Sequence, residues 1–284
     1  MSDTYEMYRV SSTKNLAMGY EPKAWTNASM YGGIEYDSDT TQMRSESSSY
    51  ETRGDDELYN STATYNSFAA MNRDVQGHKG MKYLPGTKAE VEGIQRCLEQ
   101  KNISTTLYEG AKASEESFKA LGGSDMTILH IATHGFYLDA DTTKYKVDMS
   151  MSQTGLMFAG SNLAWTNKEI PEGVEDGILT AKEISHVDLR KTDLVVLSAC
   201  QTGLGKVTGE GVFGLQRGFK NAGVKTIIMS LWSVDDFATK LMMTEFYTHL
   251  ADGKSKREAF NLAQAKVRAT YDDPYYWAGF IMLD

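Results

Sequence analysis

The chain has 284 residues, of which 41% are apolar and 24% are charged, so it can bury the core of one large domain or two small ones. Its net charge of −9 and the absence of a basic stripe argue against a protein that binds nucleic acid directly. No apolar run approaches the roughly 18 residues of a membrane-spanning helix, and the first residues lack the basic and then apolar pattern of a signal peptide.

The first part of the chain combines a predicted strand with a long polar segment. Residues 28–36 alternate in the manner of a strand, with a Gly-Gly pair as a possible bulge. Residues 37–66 are rich in Ser, Thr, Asp and Glu and poor in aliphatic side chains, which predicts a loop or a disordered segment. Thr87 with Glu90 three residues later forms a capping-box pattern, which predicts the start of a helix.

The next elements lead to a histidine at the end of an apolar strand. The pattern predicts a strand at 103–108 and a short helix opened by Ser114. Residues 127–133 then predict a largely apolar strand that delivers His134-Gly135 at its carboxyl end.

A long segment separates this strand from the next one. Residues 138–177 show little regular periodicity, and segments of this length inside a compact domain are usually functional or mobile. Residues 179–184 predict a short helix. The apolar run 194–197 predicts a buried strand that delivers Cys200 at its carboxyl end.

The last third of the chain alternates helices and strands. We predict helices at 211–222, from Asp235 or Asp236 to 250 and from Ser255 to about 271, and strands at 224–231 and 277–283. Alternation of this kind is typical of an α/β fold with a mostly parallel sheet flanked by helices. Such sheets place their chemistry at the carboxyl ends of the strands.

His134 and Cys200 therefore follow two strands of one predicted sheet, and together they can perform nucleophilic catalysis. A thiol attacks a carbonyl as the thiolate, and an imidazole that titrates near neutrality is the usual group to take and return the proton. The backbone N–H groups of Gly135 and Cys200 could bind the oxyanion that develops during attack. Taken singly, such a cysteine is more often a small core residue and such a histidine a hydrogen-bonded loop residue, but their matching positions favour catalysis.

Other candidate residues have simpler interpretations. Cys97 lies on the apolar side of its predicted helix and His130 lies among apolar strand neighbours, so we expect both to be core residues. Because Cys97 and Cys200 are the only cysteines, the sequence implies no disulfide framework and fits a cytoplasmic protein. The remaining histidines have no partner at a metal-ligand spacing, and we expect neither a metal nor another cofactor.

A glycine pattern at 209–214 offers a rival interpretation, because Gly-Glu-Gly-Val-Phe-Gly matches the dinucleotide-binding fingerprint G-x-G-x-x-G. Asp235 and Asp236 lie about twenty residues further on, where a dinucleotide fold needs an acid for the ribose. The fingerprint also needs its strand to end directly before the first glycine, and here residues 200–208 intervene. A lone match of this kind is weak support for nucleotide binding.

Seven blocks of the sequence, in order, resemble the CHAT domain, a caspase-like peptidase module often found behind tetratricopeptide repeats (TPR). They include Ile-Leu-His-Ile-Ala-Thr-His-Gly and Asp-Leu-Val-Val-Leu-Ser-Ala-Cys-Gln-Thr-Gly, and they lie at 83–92, 128–135, 176–184, 193–205, 209–212, 230–236 and 274–280. The resemblance implies a caspase/separase-like sheet, a catalytic dyad of His134 and Cys200, and an oxyanion site at the N–H groups of Gly135 and Cys200.

The resemblance also implies that Ser230, Leu231, Trp232 and Ser233 run beside the substrate as an extended strand and pair with its main chain. Asp235 follows this segment, and a carboxylate in the pocket for the P1 residue would favour Arg or Lys in the substrate. In the simpler interpretation, the aspartate caps the next helix at its positive end.

The sequence thus predicts a cysteine endopeptidase that cleaves a protein substrate, with 83–284 as the peptidase core and 1–82 as its N-terminal portion. Family members of this type usually have further strands and repeats ahead of the segment that resembles residues 5–13. We therefore expect either a truncated form of a longer protein or a short version that lacks its sensor. A partner or a TPR region could hold the site inactive, with 37–66, expected to be flexible, and 138–177 as switch segments. The rival function is a catalytically silent interaction scaffold.

Overall fold

The computed structural model of the protein describes residues 25–50, 79–137, 151–198, 209–232 and 234–284. Cys200 and Ser233 lie outside the described residues, as do residues 5–13 and parts of both predicted switch segments.

A six-stranded sheet forms the centre of the described structure, in the strand order β2-β1-β3-β7-β8-β9. Its strands are β1 (Asn27–Ile34), β2 (Ser104–Gly110), β3 (Ile128–Ile131), β7 (Leu194–Leu197), β8 (Thr226–Ser230) and β9 (Phe280–Leu283). Neighbouring strands are parallel except for β8 and β9, which are antiparallel. The mostly parallel sheet predicted from the sequence is therefore confirmed.

A second sheet has the strand order β4-β5-β6 and is antiparallel throughout. Its strands are β4 (Gly135–Tyr137), β5 (Thr154–Met157) and β6 (Ile178–Thr180). Because β4 begins at the residue after His134, this small sheet leaves directly from the carboxyl edge of the large one.

Helices cover both faces of the large sheet. Their bounds are α1 (Thr40–Ser47), α2 (Pro85–Glu99), α3 (Glu115–Lys119), α4 (Ser161–Trp165), α5 (Ala181–Ile184), α6 (Gly209–Asn221), α7 (Asp236–Ala251) and α8 (Lys256–Thr270), with a 3₁₀ turn at Pro274–Tyr276. One face packs against α2, α7 and α8, and the other packs against α3, α5, α6 and the small sheet. Among these described helices, none has the length and apolar character needed to cross a membrane.

Strand β3 shows how alternation separates the two faces. Ile128 and His130 face α2 and α7, whereas Leu129 and Ile131 belong to the core on the opposite side. The neighbouring strand β7 pairs in parallel with β3, and Ile131 lies opposite Leu197. The two strands therefore end level with each other at one edge of the sheet.

The segment 37–66 is not wholly irregular, because helix α1 forms within it. Asp39 accepts hydrogen bonds from the N–H groups of Thr41 and Gln42, and the Gln42 side chain accepts one from the N–H of Asp39. Met43 is buried on the inner side of the helix. This reciprocal cap outweighs the polar composition that predicted a loop.

Helix α2 begins earlier than predicted and does not use Thr87 as its cap. Pro85 occupies the first position, where its missing N–H leaves no hydrogen bond unmade, and Leu84 precedes it without a side-chain cap. The Thr87 hydroxyl instead donates to the Leu84 carbonyl at 2.7 Å and accepts from the N–H of Gly33 at 2.9 Å. The register of β1 on β2 shifts near Gly33, which agrees with the predicted bulge.

The region between β4 and β7 contains more regular structure than predicted. Strand β5 and helix α4 lie within the segment 138–177. Residues 179–184, predicted as one helix, are divided at Thr180, where β6 ends and the side chain caps α5 through reciprocal bonds with Glu183. A fully buried strand of three residues shows no alternation, so periodicity alone does not separate it from a helix.

Candidate active site

Strands β3 and β7, which precede the two predicted catalytic positions in the chain, are neighbours and end at the same edge of the sheet. His134 lies three residues beyond β3, and Ser198 directly follows β7. The N–H of Ser198 donates to the Ile131 carbonyl at 2.9 Å, and this bond holds the ends of the two strands together. Cys200 comes two positions after Ser198 in the chain and lies outside the described residues, so the dyad stays a prediction.

The buried imidazole of His134 is oriented by a main-chain group. Its Nε2 lies 2.8 Å from the carbonyl oxygen of Lys82. A carbonyl can only accept, so Nε2 carries a proton and donates it to this bond. In the neutral tautomer the basic lone pair is consequently on Nδ1, which is the atom that can take a proton from a thiol.

The ring of Tyr36 packs beside the imidazole, and Thr133 holds the Tyr36 hydroxyl. The ring centroid of Tyr36 lies 5.0 Å from that of His134. The Tyr36 hydroxyl is 3.0 Å from Oγ1 of Thr133, whose own proton goes to the carbonyl of Met157. Burial raises the pKa of Tyr36 to about 12, so its hydroxyl keeps its proton and donates.

Burial also sets the protonation of His134. It lowers the pKa of the imidazole below its ordinary value, and the hydrogen bond to Lys82, which favours the charged form, does not reverse that direction. The imidazole is therefore neutral at pH 7 and can act as a general base.

The ladder of β4 and β5 fixes the direction of the N–H group of Gly135, a predicted oxyanion donor. Gly135 lies opposite Leu156 in this ladder, and the N–H of Met157 donates to the His134 carbonyl at 2.9 Å. Along an antiparallel ladder, pairs of residues that bond each other alternate with pairs whose N–H and C=O groups point away from the partner strand. His134 and Met157 are a bonded pair, so Gly135 and Leu156 are a pair of the second kind. The N–H of Gly135 therefore points away from β5. The second predicted donor, the N–H of Cys200, lies outside the described residues.

The predicted substrate strand is partly engaged within the protein. The N–H of Leu231 donates to the Gly279 carbonyl at 2.8 Å, next to the pair of Ser230 and Phe280. By the same rule of antiparallel ladders, the main-chain groups of Ser230 point away from β9, toward β7. The amide of Leu231 is therefore already bonded within the protein, and Ser230 lies one residue beyond the last pair of β7 and β8, Leu197 and Met229.

Trp232 and Asp235 are held by local contacts. The indole Nε1 of Trp232 donates to the Tyr275 carbonyl at 2.9 Å, and the two rings stack with their centroids 6.3 Å apart. Oδ1 of Asp235 accepts from the N–H groups of Phe237 and Ala238 at 3.0 and 3.2 Å. Asp235 is thus the N-cap of α7, which is the simpler of its two interpretations.

A buried polar network lies on the α2 and α7 face of β3. His130 is fully buried, with Nδ1 3.1 Å from the Tyr247 hydroxyl and Nε2 3.0 Å from Oε1 of Glu90. The Ser198 hydroxyl donates to the other Glu90 oxygen at 3.1 Å. His130 is therefore the core histidine that we predicted, whereas Glu90, predicted as a capping residue, is a core residue. Its spacing of four from the apolar Ile94 is the signal that could have revealed this.

A cluster of carboxylates surrounds Lys119 between α3, α5 and the start of β6. Among the described residues, one group of acidic side chains is close enough to share a cation, namely Glu115, Glu175 and Glu183, whose oxygens lie within 4.8 Å of one another. The ammonium of Lys119 lies 2.8 Å from Glu115 and 2.7 Å from Glu175. The positive charge that this cluster needs thus comes from the protein itself.

The glycine pattern at 209–214 lies inside helix α6, which begins at Gly209. The dinucleotide fingerprint needs its first glycine in a tight turn directly after a strand, and β7 ends at Leu197. The acid that would bind a ribose, Asp235, caps α7. These positions do not match a dinucleotide site.

The family comparison agrees with the sequence blocks. The sequence model of the CHAT domain matches residues 34–284, which is most of the chain. Tetratricopeptide repeat protein 28 of Homo sapiens is 33% identical over 112 residues, and the protein of the same name from Mus musculus is 34% identical over 109 residues. These stretches cover 39% and 37% of this chain, and they span only 4% of the length of each relative.

One solved structure aligns with most of the chain. The crystal structure of the Arg-specific cysteine proteinase gingipain R aligns with 91% of this chain and 46% of that chain, with a TM-score of 0.49 and 9% sequence identity.

Proposed function

This chain belongs to the CHAT domain family, and on that premise we propose that it is a cysteine endopeptidase in which His134 and Cys200 form the catalytic dyad. Its substrate is another protein. The hydrogen bond from Nε2 of His134 to the Lys82 carbonyl is the observation that supports this proposal most directly. It puts the basic lone pair on Nδ1, at the edge of the sheet where the strand that leads to Cys200 ends.

The proposed reaction proceeds through a thioester. Nδ1 of His134 takes the thiol proton of Cys200, and the sulfur attacks the carbonyl carbon of the scissile peptide bond. The C–N bond then breaks, and the imidazolium gives its proton to the leaving amine. Water attacks the thioester carbon while the imidazole takes a proton from that water. The C–S bond then breaks, the imidazolium returns its proton to the leaving thiolate, and the carboxylic acid product is released.

Two features of the site support the remaining roles. The N–H of Gly135 points away from β5, so it can donate to the developing oxyanion together with the N–H of Cys200, and one such donor is worth about 10²- to 10³-fold in rate. Strand β8 continues past its last pair with β7, Leu197 and Met229, so the segment that starts at Ser230 can lie beside an extended peptide. Pairing of main chain with main chain suits a protein substrate.

We also propose that the domain acts in the cytoplasm and is regulated by a TPR region. Two similar proteins are named for these repeats, which supports the second point. The content of only two cysteines supports the first.

Alkylation of the two cysteines by iodoacetamide, followed by mass spectrometry across a pH series, tests the dyad without knowledge of the substrate. Cys97 packs against the apolar core, as predicted, and burial raises the pKa of its thiol, so it serves as the slow internal reference. We expect Cys200 to react at least about ten times faster than Cys97, because a neighbouring imidazole favours the thiolate.

Two variants make this test specific. His134→Ala should remove the advantage of Cys200, whereas alanine at the exposed surface histidine His186 should leave it unchanged. A Cys200 that is as slow as Cys97 in the wild type would argue for the scaffold function. Where Cys200 does react faster, cleavage of a peptide library by the wild type but not by Cys200→Ala would establish the peptidase.

A further inference from the structure

The carbonyl that orients His134 belongs to a short extended segment, residues 79–84, which we call the strap. It precedes helix α2 and contains no helix or strand of its own. The position of the Lys82 carbonyl therefore depends on contacts that fix the main chain of the strap from outside.

Asn162 supplies these contacts. Its Oδ1 accepts from the N–H of Met81 at 2.6 Å, and its Nδ2 donates to the carbonyl of the same residue at 3.0 Å. A carboxamide places an acceptor oxygen and a donor NH₂ group side by side on one plane, which matches the N–H and C=O of a single residue. The residue held in this way directly precedes Lys82.

Asn162 is itself rigidly held. It lies on α4, its side chain is buried, and its main-chain N–H donates to the Tyr36 carbonyl at 3.0 Å. Its Nδ2 also donates to Oδ1 of Asp37 at 2.8 Å. Asn162 thus joins the strap to the segment after β1, whose Tyr36 ring packs beside His134.

The main chain of the strap approaches the side chain of Asn162 closely at Gly80. A methyl group on Gly80 would lie 3.0 Å from Nδ2 of Asn162, which is tighter than most such contacts. The absence of a side chain at Gly80 therefore lets the carboxamide reach the main chain of the next residue.

We propose that Asn162 is a positioning residue for His134, which acts by fixing Met81 so that the adjacent Lys82 carbonyl meets Nε2 of the imidazole. This inference rests on the proposed function, because it assigns a role in the same site. Asn162 touches neither substrate nor reacting atoms in this scheme. It sets the orientation of the base.

The test compares the wild type with Asn162→Asp, which keeps the size of the side chain but places an oxygen where Nδ2 donates to Met81 and Asp37. The Hε2 proton of His134, observed by NMR in protein with ¹⁵N-labelled histidine, reports the hydrogen bond to Lys82 without any catalysis. We expect this resonance to be lost or strongly shifted in Asn162→Asp, and alkylation of Cys200 to slow by about tenfold, the size expected for one good hydrogen bond.

Thr166→Val is the matched control, because the Thr166 hydroxyl donates to the main-chain carbonyl of Asn162 at 2.7 Å and not to its carboxamide. It should leave both the Hε2 resonance and the alkylation rate unchanged. If Asn162→Asp does not fold, Gly80→Ala decides instead, since it presses on the carboxamide and should shift the same resonance.

The outcomes separate this inference from the proposed function. A folded Asn162→Asp with an unchanged Hε2 resonance and an unchanged rate for Cys200 would overturn the positioning role. A wild type in which Cys200 reacts no faster than Cys97 would instead count against the peptidase, while the Hε2 resonance would still test Asn162.

Discussion

His130 and His134 lie on the same strand and its continuation, yet their surroundings differ in kind. His130 is in the middle of β3, where side chains of Glu90 and Tyr247 bond both ring nitrogens. His134 lies beyond the end of β3, where a main-chain carbonyl bonds Nε2. The first arrangement fixes the ring of His130 in the core, whereas the second places a proton on Nε2 of His134 and the basic lone pair on Nδ1.

The comparison shows what the edge of the sheet contributes to function. Within the sheet, a polar side chain must find side-chain partners on the helices that cover it, because neighbouring strands use the main-chain groups. At the edge, main-chain carbonyls and N–H groups become available to side chains and to substrates. Chemistry is therefore expected at His134 and stability at His130.

The largest expected effect is on activity. His134→Ala should lower the rate of peptide cleavage by roughly 10³-fold, because general acid–base catalysis contributes about 10²- to 10⁴-fold. The free energy of unfolding should change little by comparison. Cleavage assays with the folded variant measure the first effect, and urea denaturation measures the second. A variant that keeps the wild-type rate would remove the distinction between the two histidines.

His130→Ala should have the opposite effect. It leaves the Glu90 carboxylate and the Tyr247 hydroxyl buried without their imidazole partner, so we expect a loss of about 3 kcal/mol in the free energy of unfolding. Tyr247→Phe removes only one of these bonds and should cost about 1 kcal/mol. Denaturation of both variants checks the order. Equal losses would mean that the carboxylate does not depend on His130.

The carboxylates around Lys119 sharpen the comparison, because they are buried charges away from both histidines. Burial and, to a smaller extent, the nearby Glu115 raise the pKa of Glu175 against the opposing effect of Lys119, to about 7. The carboxylate of Glu175 therefore binds a proton more tightly in the folded chain than in the unfolded chain. The stability it contributes is fully present below the ordinary pKa of a glutamate and is lost as the pH rises to about 7.

Glu175→Gln should flatten that dependence. Relative to the wild type, the variant should gain stability as the pH rises through this window, by at most about 1.4 kcal/mol per pH unit. Denaturation of both proteins at several pH values gives the difference directly. Glu172→Gln, at an exposed residue of the same connection between α4 and β6, is the control and should show no such trend. A parallel course of the wild type and Glu175→Gln would contradict the assignment.

The sequence predicts the frame of the site better than its supports. The apolar runs that precede His134 and Cys200 predict two buried strands of a parallel sheet, and the structure has β3 and β7 as neighbours. The carbonyl of Lys82 leaves no trace in a residue pattern, since every residue has one. Asn162 lies in a segment predicted as irregular, because a helix of five residues is too short to show periodicity.

Glu90 shows the limit of local patterns from the other direction. Its spacing from Thr87 fits a capping box, but tertiary contacts decide its role: the carboxylate bonds His130 and Ser198 in the core. The placement of Cys200 rests on the family blocks and on the strand that precedes it, and it stays a prediction.

The smallest predicted effect concerns Asp235, which has two competing roles. As the cap of α7 it accepts two N–H bonds, so Asp235→Ala should lower the free energy of unfolding by about 1 kcal/mol, while Asp235→Asn should change it by a few tenths. If the carboxylate only caps the helix, neither variant should alter which residue is preferred at P1 in peptide-library cleavage. A preference for Arg or Lys that disappears in Asp235→Asn, where the cap survives and the charge does not, would show instead that the carboxylate faces the substrate. The asparagine variant is the decisive one because it separates the hydrogen bonds of the cap from the charge.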